Sequence, residues 1–199
     1  LTIGAAAGAS RPDEGSVSRR DAERELVRAC QRGDREAFDR LVERYQRDVY
    51  RLCYRYVNGH EDANDLAQDA FLKAWRAVGR FRGDSAFSTW LYRIAVNACL
   101  NRRALRRPLT QELSEGLADP RRGADGDVES EDEARRVREA VTRLPDKQRA
   151  TLILKVYQEL THEEVAQILG ATVGTVKSNL FHALANLRRL LAEPEEKRS

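Results

Sequence analysis

The chain has 199 residues, of which 34% are charged and 7% aromatic, and its formal net charge is +3. That length holds one large domain or two small ones. No apolar run approaches the roughly 20 residues that cross a bilayer, so a membrane-spanning helix is excluded and a soluble protein is expected.

The small net charge conceals local clustering. Basic residues gather at Asn101 to Arg107 and at Arg188 and Arg189, and acidic ones between Glu112 and Glu133. Cys30, Cys53 and Cys99 are far apart in sequence, without CxxC spacing or nearby histidines, which argues against a disulfide framework or a zinc site and fits a reducing cytoplasm. His60, His162 and His182 are equally scattered. With no nucleophile–base signature and no glycine-rich phosphate loop, no catalytic residue, metal or cofactor is expected.

Residues 1–20 read as a disordered tail: small residues, Gly, Ser and one Pro, without the basic start and apolar stretch of a secretory signal. The chain contains no Met, so Leu1 is expected to be a trimmed terminus or a literally translated alternative start codon.

From 21 to 107 apolar residues recur every three or four positions: Leu26, Ala29 and Cys30, then Phe38, Leu41, Val42, Tyr45, Val49, Leu52, Cys53 and Tyr56. That is helix period. Breaks at Arg32-Gly33-Asp34, Asn58-Gly59-His60 and Arg80 to Ser85 divide the stretch into about four helices. The third, predicted over Asp62 to Val78, has two unlike faces. Leu66, Ala70, Phe71, Ala74 and Val78 form a core stripe, whereas Asp65, Asp69, Leu72 and Arg76 share another face. An apolar Leu72 on a charged face hints at a protein partner, although single exposed leucines are common.

Next come Phe81, Phe87, Trp90, Tyr92 and Arg93 in few residues, followed by Asn97, Asn101, Arg102, Arg103, Arg106 and Arg107. Aromatics beside a basic helix suit single-stranded DNA, whose unstacked bases need π-surfaces and whose phosphates need cations. The alternative is that the aromatics are core, which is expected for Trp90 and Leu91 but not for the arginines.

Residues 108–132 are rich in acidic residues, Pro and Gly and poor in large apolar side chains, and read as a flexible linker. Helix period resumes at about Glu133 through Val137, Ala140, Val141 and Leu144, giving a second helical domain over 133–192 and leaving a tail over 193–199. Thr161 and Glu164 form a capping box. Val165, Ala166 and Leu169 make a buried stripe, Gly170 a turn, and Thr172 caps a second helix through Val176, Leu180, Ala183, Leu184 and Leu187. This is a helix-turn-helix pattern. A second helix placed in a major groove would offer Thr175, Lys177, Ser178, Phe181 and His182 to phosphates and base edges. The fold class is therefore all-α: two small helical domains joined by an acidic linker, the second a helix-turn-helix.

Three motifs in order, the run from Asp62 to Trp75, the block from Phe81 through Arg103, and the helix containing Gly174-Thr175-Val176-Lys177-Ser178, resemble regions 2.2, 2.3 to 2.4 and 4.2 of the extracytoplasmic-function (ECF) sigma factors. The resemblance covers about residues 21 to 191. It implies a subunit that binds core RNA polymerase, through its clamp and flap, and directs promoter recognition, minus-10 melting and initiation. By that carry-over, Asp65, Gln68, Asp69 and Leu72 dock on the clamp helices of the largest subunit. Arg82, Gly83, Asp84, Ser85, Ala86 and Asn97 hold a base flipped from the minus-10 element, supported by Trp90 and Arg93. Lys177, Ser178, Phe181 and His182 read the minus-35 duplex, the linker threads the polymerase's basic channel, and an anti-sigma protein restrains the factor in the cytoplasm or at the inner membrane. Asn179, His182 and Ala185 depart from the pattern, standing where relatives commonly carry Arg, which predicts weaker phosphate contact or a different minus-35 preference.

Two other readings stand beside this one. A self-sufficient helix-turn-helix repressor or activator would account for the second domain but not for Leu72 or the aromatic block. A catalytic protein acting on nucleic acid lacks paired carboxylates or metal-ligand spacing.

Overall fold

The computed structural model describes residues 14–110 and 128–192, with side chains described for 20–104 and 132–192. All regular elements among them are helical. The first domain comprises α1 (Glu14–Gln31), α2 (Arg35–Val57), α3 (His60–Ala77), a 3₁₀ turn (Val78–Arg80) and α4 (Phe87–Thr110). The second comprises α5 (Val128–Thr142), α6 (Asp146–Leu152) running into a π-helical turn (Ile153–Tyr157), α7 (His162–Leu169) and α8 (Val173–Ala192).

The breaks fall where the sequence places them, for identifiable reasons. Asp34 accepts from the Ala37 amide at 3.1 Å and starts α2. Asn58 adopts left-handed φ 54° and returns its amide to the Tyr54 carbonyl, closing the helix. Leu41, Val49, Leu52, Cys53 and Tyr56 of α2 are buried together with Leu66, Ala70 and Ala74 of α3 and Leu91, Ala95 and Cys99 of α4. The small residues on α3 let it lie close against α2. Cys53 and Cys99, far apart in sequence, meet in this core with sulfurs 3.8 Å apart, and all three cysteines are free.

Four expectations need correction. α1 starts at Glu14, inside the expected tail, because the period set by Val27 and Cys30 extends upstream through an Arg- and Glu-rich turn with good helix propensity. α3 starts at His60, since Gly59 in extended conformation serves as its N-cap. The linker is shorter at both ends, with α4 reaching Thr110 and α5 beginning at Val128; residues 111–127, where most of the acidic linker lies, are outside the described residues, as are 1–13 and the tail 193–199. Finally, Leu184 is 39% exposed and does not belong to the α8 core, which is made by Val176, Ala183 and Leu190.

The two domains pack against each other. α2 meets α5 and the π-helical turn, and α4 meets α7. The junction holds a buried arginine, Arg149 of α6, only 3% exposed, which donates to the Tyr56 carbonyl at 2.9 Å and to the Leu144 carbonyl at 3.4 Å.

Candidate nucleic-acid and polymerase interfaces

Three surfaces carry the residues singled out by the sequence. The first is the outer face of α3. Asp65, Gln68 and Leu72 are exposed there and Asp69 half-buried, with Leu72 at 55% exposure. Asp69 pairs with Lys73 at 2.6 Å, one helical turn on. Asp65 lies 3.5 Å from Arg102 of α4, which also reaches Asp62 at 3.7 Å. The face is an apolar side chain set in a ring of charge, held rigid by a helix whose other side is core.

The second surface is a concave site of about 460 Å³ at the start of α4, lined by Arg80, Phe81, Arg82, Asp84, Ser85, Thr89, Trp90, Arg93 and, from the second domain, Gln167. Its floor is aromatic. Phe81 lies 5.2 Å from Trp90 and 5.9 Å from Phe87, which is 5.5 Å from Trp90 and 5.8 Å from Tyr45. The loop above this floor turns at Gly83, whose φ of 78° is open to glycine at little cost. Gln31, the last residue of α1, fixes the loop's root by donating to the Phe81 carbonyl at 2.8 Å and the Val78 carbonyl at 3.3 Å. Arg82, Gly83, Asp84 and Ala86 are exposed and Ser85 half-buried.

Trp90 and Leu91 are buried, as the core reading has it, and so are Phe87 and Tyr92. Trp90 nevertheless presents part of its surface to the site. Arg93, Asn97 and Asn101 recur at four-residue spacing and are exposed along α4; Arg102 and Arg103 are half-buried. Asn97 and Asn101 do not line the concavity, so the site and the polar row are adjacent rather than one pocket. Thr89, Arg80 and Gln167 are lining residues that sequence reasoning missed. Gln167 joins only through tertiary packing and left no signal.

The third surface is α8 with its supporting helix α7. The capping box forms as expected: the Glu164 amide donates to Thr161 Oγ1 at 3.2 Å and the Thr161 amide to Glu164 Oε2 at 2.8 Å. Gly170, at φ 60°, makes the turn, and Thr172 Oγ1 accepts from the Thr175 amide at 3.1 Å to begin α8. Val165, Ala166 and Ile168 are buried, while Leu169 is half-buried, so Ile168 takes a core place that the sequence reading omitted. Thr175, Lys177, Ser178, Phe181 and His182 are all exposed, with Phe181 at 70% and its ring 5.5 Å from that of His182. The Thr175 hydroxyl is shared with Thr172 at 2.9 Å, which ties it to the cap. Of the three departures, His182 and Ala185 are exposed and Asn179 half-buried.

Both halves match known families: residues 41–107 match Sigma-70 region 2, and 134–187 match Sigma-70, region 4. The RNA polymerase sigma-H factor of Pseudomonas aeruginosa is 40% identical over 172 residues, covering 81% of this chain and 89% of the relative. The chain belongs to the ECF sigma factor family. Within that family, SigM of Mycobacterium tuberculosis H37Rv is 43% identical over 177 residues, covering 89% of this chain and 87% of the relative. The sigma-E factor of Escherichia coli K12 is 40% identical over 169 residues, covering 79% and 88%. Among solved structures, CnrH in complex with the cytosolic domain of CnrY is similar at a TM-score of 0.66 and 28% identity, over 86% of this chain and 97% of that one. As an ECF sigma factor the chain directs promoter-specific transcription initiation with RNA polymerase, and sigma factors are initiation factors rather than catalysts. Among the described residues no helix is long and apolar enough to cross a membrane, and no cluster of three or more His, Cys, Asp or Glu is placed to hold a metal.

Proposed function

We propose a division of labour among these surfaces. The α3 face of Asp65, Gln68, Asp69 and Leu72 docks core polymerase, the concave site receives a base from the melted minus-10 strand, and α8 reads the minus-35 duplex. The concave site carries the reading most directly. An aromatic floor under a loop with arginines on both sides offers a π-surface and cations, which is what a flipped base and its phosphates require. Asp84 and Ser85 supply acceptors and a donor for the base edge. Arg93, Asn97, Asn101, Arg102 and Arg103 continue along α4 as a track for the backbone.

On α8, Lys177 and Ser178 suit phosphates, while Phe181 suits the apolar side of a base pair such as a thymine methyl. Phe181 is the largest exposed apolar group on that helix and stands beside His182, so the two rings together offer an aromatic surface to a base pair. The flap of the polymerase and the acidic linker's channel are taken to engage the second domain and residues 108–132. CnrH is solved with the cytosolic domain of CnrY, and a restraining anti-sigma protein is accordingly proposed for this factor too. The site of action is the cytoplasm, where polymerase and promoter are.

In vitro transcription from a random promoter library with this chain and purified core enzyme tests the whole reading. Enriched templates should share two elements, and replacing Arg82 and Trp90 with Ala should abolish enrichment of the minus-10 element. Absence of initiation on any template would overturn it.

A further inference from the structure

The loop over the concave site has little hydrogen bonding of its own. Among the described residues, the amides of Arg82, Gly83, Asp84 and Ser85 donate to no other main-chain group, so the loop's shape depends on how its two ends are held. The far end is the start of α4, where the Trp90 amide donates to the Ala86 carbonyl at 3.2 Å. The near end is the 3₁₀ turn, closed by the Phe81 amide on the Val78 carbonyl at 3.0 Å, and from it the chain leaves at Phe81 in extended conformation.

Gln31 reaches this near end from 50 positions upstream. Its Nε2 carries two hydrogens and meets two carbonyls, that of Phe81 at 2.8 Å and that of Val78 at 3.3 Å. The Val78 oxygen has two lone pairs and accepts from Gln31 and from the Phe81 amide together. The side chain therefore bridges the turn to the first residue past it, which sets both the direction in which the loop departs and the place of the Phe81 ring against Trp90 and Phe87. The base of this bridge is fixed in turn. Val27 and Cys30 of α1 are buried, the Gly33 amide closes the helix end on the Cys30 carbonyl at 2.9 Å, and Asp34 at once caps α2. Neither the core nor the helix end demands a glutamine here, since position 31 is exposed and a helix C-terminus accepts Lys or Arg as readily. α1 also stands upstream of residues 41–107, so the stretch that matches region 2 does not include the residue holding the loop's root.

We infer that Gln31 is a positioning residue for base selection at minus-10, holding the Arg82 to Ala86 loop over its aromatic floor in the form that receives a base. The inference rests on the minus-10 reading of that site. A loop anchored only at α4 samples several arrangements, each presenting Asp84 and Ser85 differently to the base edge. The preferred base then loses its advantage, while the arginines go on attracting phosphates that carry no sequence information. Selectivity falls before affinity.

Two substitutions remove the bridge at an exposed position where the fold should survive. Gln31→Leu deletes both donors, and the near-isosteric Gln31→Glu sets a carboxylate against two carbonyl oxygens, whereas Gln31→Lys keeps a donor-only head group. Hydrogen exchange over residues 79–86 of the full-length chain reads the loop directly, with circular dichroism and urea midpoints as the check on folding. Each variant is then combined with core polymerase on a template library randomised at both promoter elements, and base preferences are read from the transcripts. Gln31→Leu and Gln31→Glu should each speed exchange over 79–86 about fivefold, the factor that one net hydrogen bond supplies. Preference at minus-10 should fall by about the same factor with preference at minus-35 retained, and Gln31→Lys should restore both readouts. Exchange unchanged in Gln31→Leu and Gln31→Glu would overturn the positioning role, as would equal loss of preference at the two elements, which marks a general structural defect. Faster exchange with an unaltered minus-10 preference would leave Gln31 as the loop's brace and overturn the minus-10 reading instead.

Discussion

Arg102 on α4 lies 3.5 Å from the carboxylate of Asp65 on α3, so a cation assigned to the DNA track is held by an acid assigned to the polymerase face. Asp62 shares the same guanidinium at 3.7 Å. Arg102 is half-buried and Asp65 exposed, which limits their pair to about 1 kcal/mol or less. Asp65→Asn should therefore act in opposite directions on the two partners. It should weaken core binding severalfold, while leaving or slightly raising affinity for single-stranded DNA. Arg102→Ala should instead lower DNA affinity and reduce the slope of log affinity against log salt by about 0.7, the value for one phosphate contact on a single strand. Titrations of each variant against core enzyme and against oligonucleotide, at several salt concentrations, check both signs.

Leu72 offers a cleaner separation of fold from function. Its side chain is 55% exposed on a helix whose opposite face supplies the core, so Leu72→Glu should change stability by no more than about 0.5 kcal/mol. An apolar anchor at the centre of an interface commonly costs about 2 kcal/mol or more when lost, which predicts at least a tenfold drop in affinity for core polymerase. Co-elution with core enzyme in gel filtration, together with an unchanged urea midpoint, is the measurement.

The sequence made the helices and the capped helix-turn-helix legible because those rest on local rules. Asp34, Gly83, Thr161, Gly170 and Thr172 each satisfy a backbone requirement within a few residues of themselves. The α3 face was equally readable from period alone. The junction between domains was not, because it depends on contacts as far apart as Tyr56 and Arg149, separated by 93 positions. One trace of it was present: Arg149 sits three and four positions before Leu152 and Ile153, placing a cation in the apolar phase of its helix. Gln167, on a face that the helix-turn-helix pattern leaves polar, gave no such trace.

Phe181 and Lys177 separate base reading from phosphate contact on α8. Both are exposed, so neither change should disturb the fold. Lys177→Ala should weaken binding uniformly across promoter variants and reduce the salt slope by about 1. Phe181→Ala should leave the salt slope alone and cost about 1–3 kcal/mol only on templates bearing the preferred minus-35 sequence. Abortive initiation assays across a minus-35 mutant series, with stability followed by thermal melts, distinguish the two patterns.

Burial raises the pKa of acidic groups in the first domain, so raising the pH should favour its unfolding. Hydrogen bonding to Cys53, and then burial, raise the Cys99 thiol above its ordinary 9.0, and burial, with Asp48 and Glu23 nearby, pushes the Tyr92 phenol from 10.0 up to about 12. Both groups ionise in the unfolded chain before they ionise in the folded one, so the unfolded state releases protons first and gains on raising the pH. Their contribution is full below pH 9 and is lost progressively toward pH 12. Arg149, with its pKa brought down to about 10, has the opposite sign over the upper part of that window, because deprotonation relieves the cost of its burial. A comparison of parent and Tyr92→Phe isolates the contribution of the phenol. Across pH 10 to 12 the parent should lose on the order of 2 kcal/mol more than the variant, at about 1.4 kcal/mol per pKa unit. Urea midpoints taken at intervals through that range give the difference, and parallel curves for the two proteins would show that Tyr92 does not titrate with folding.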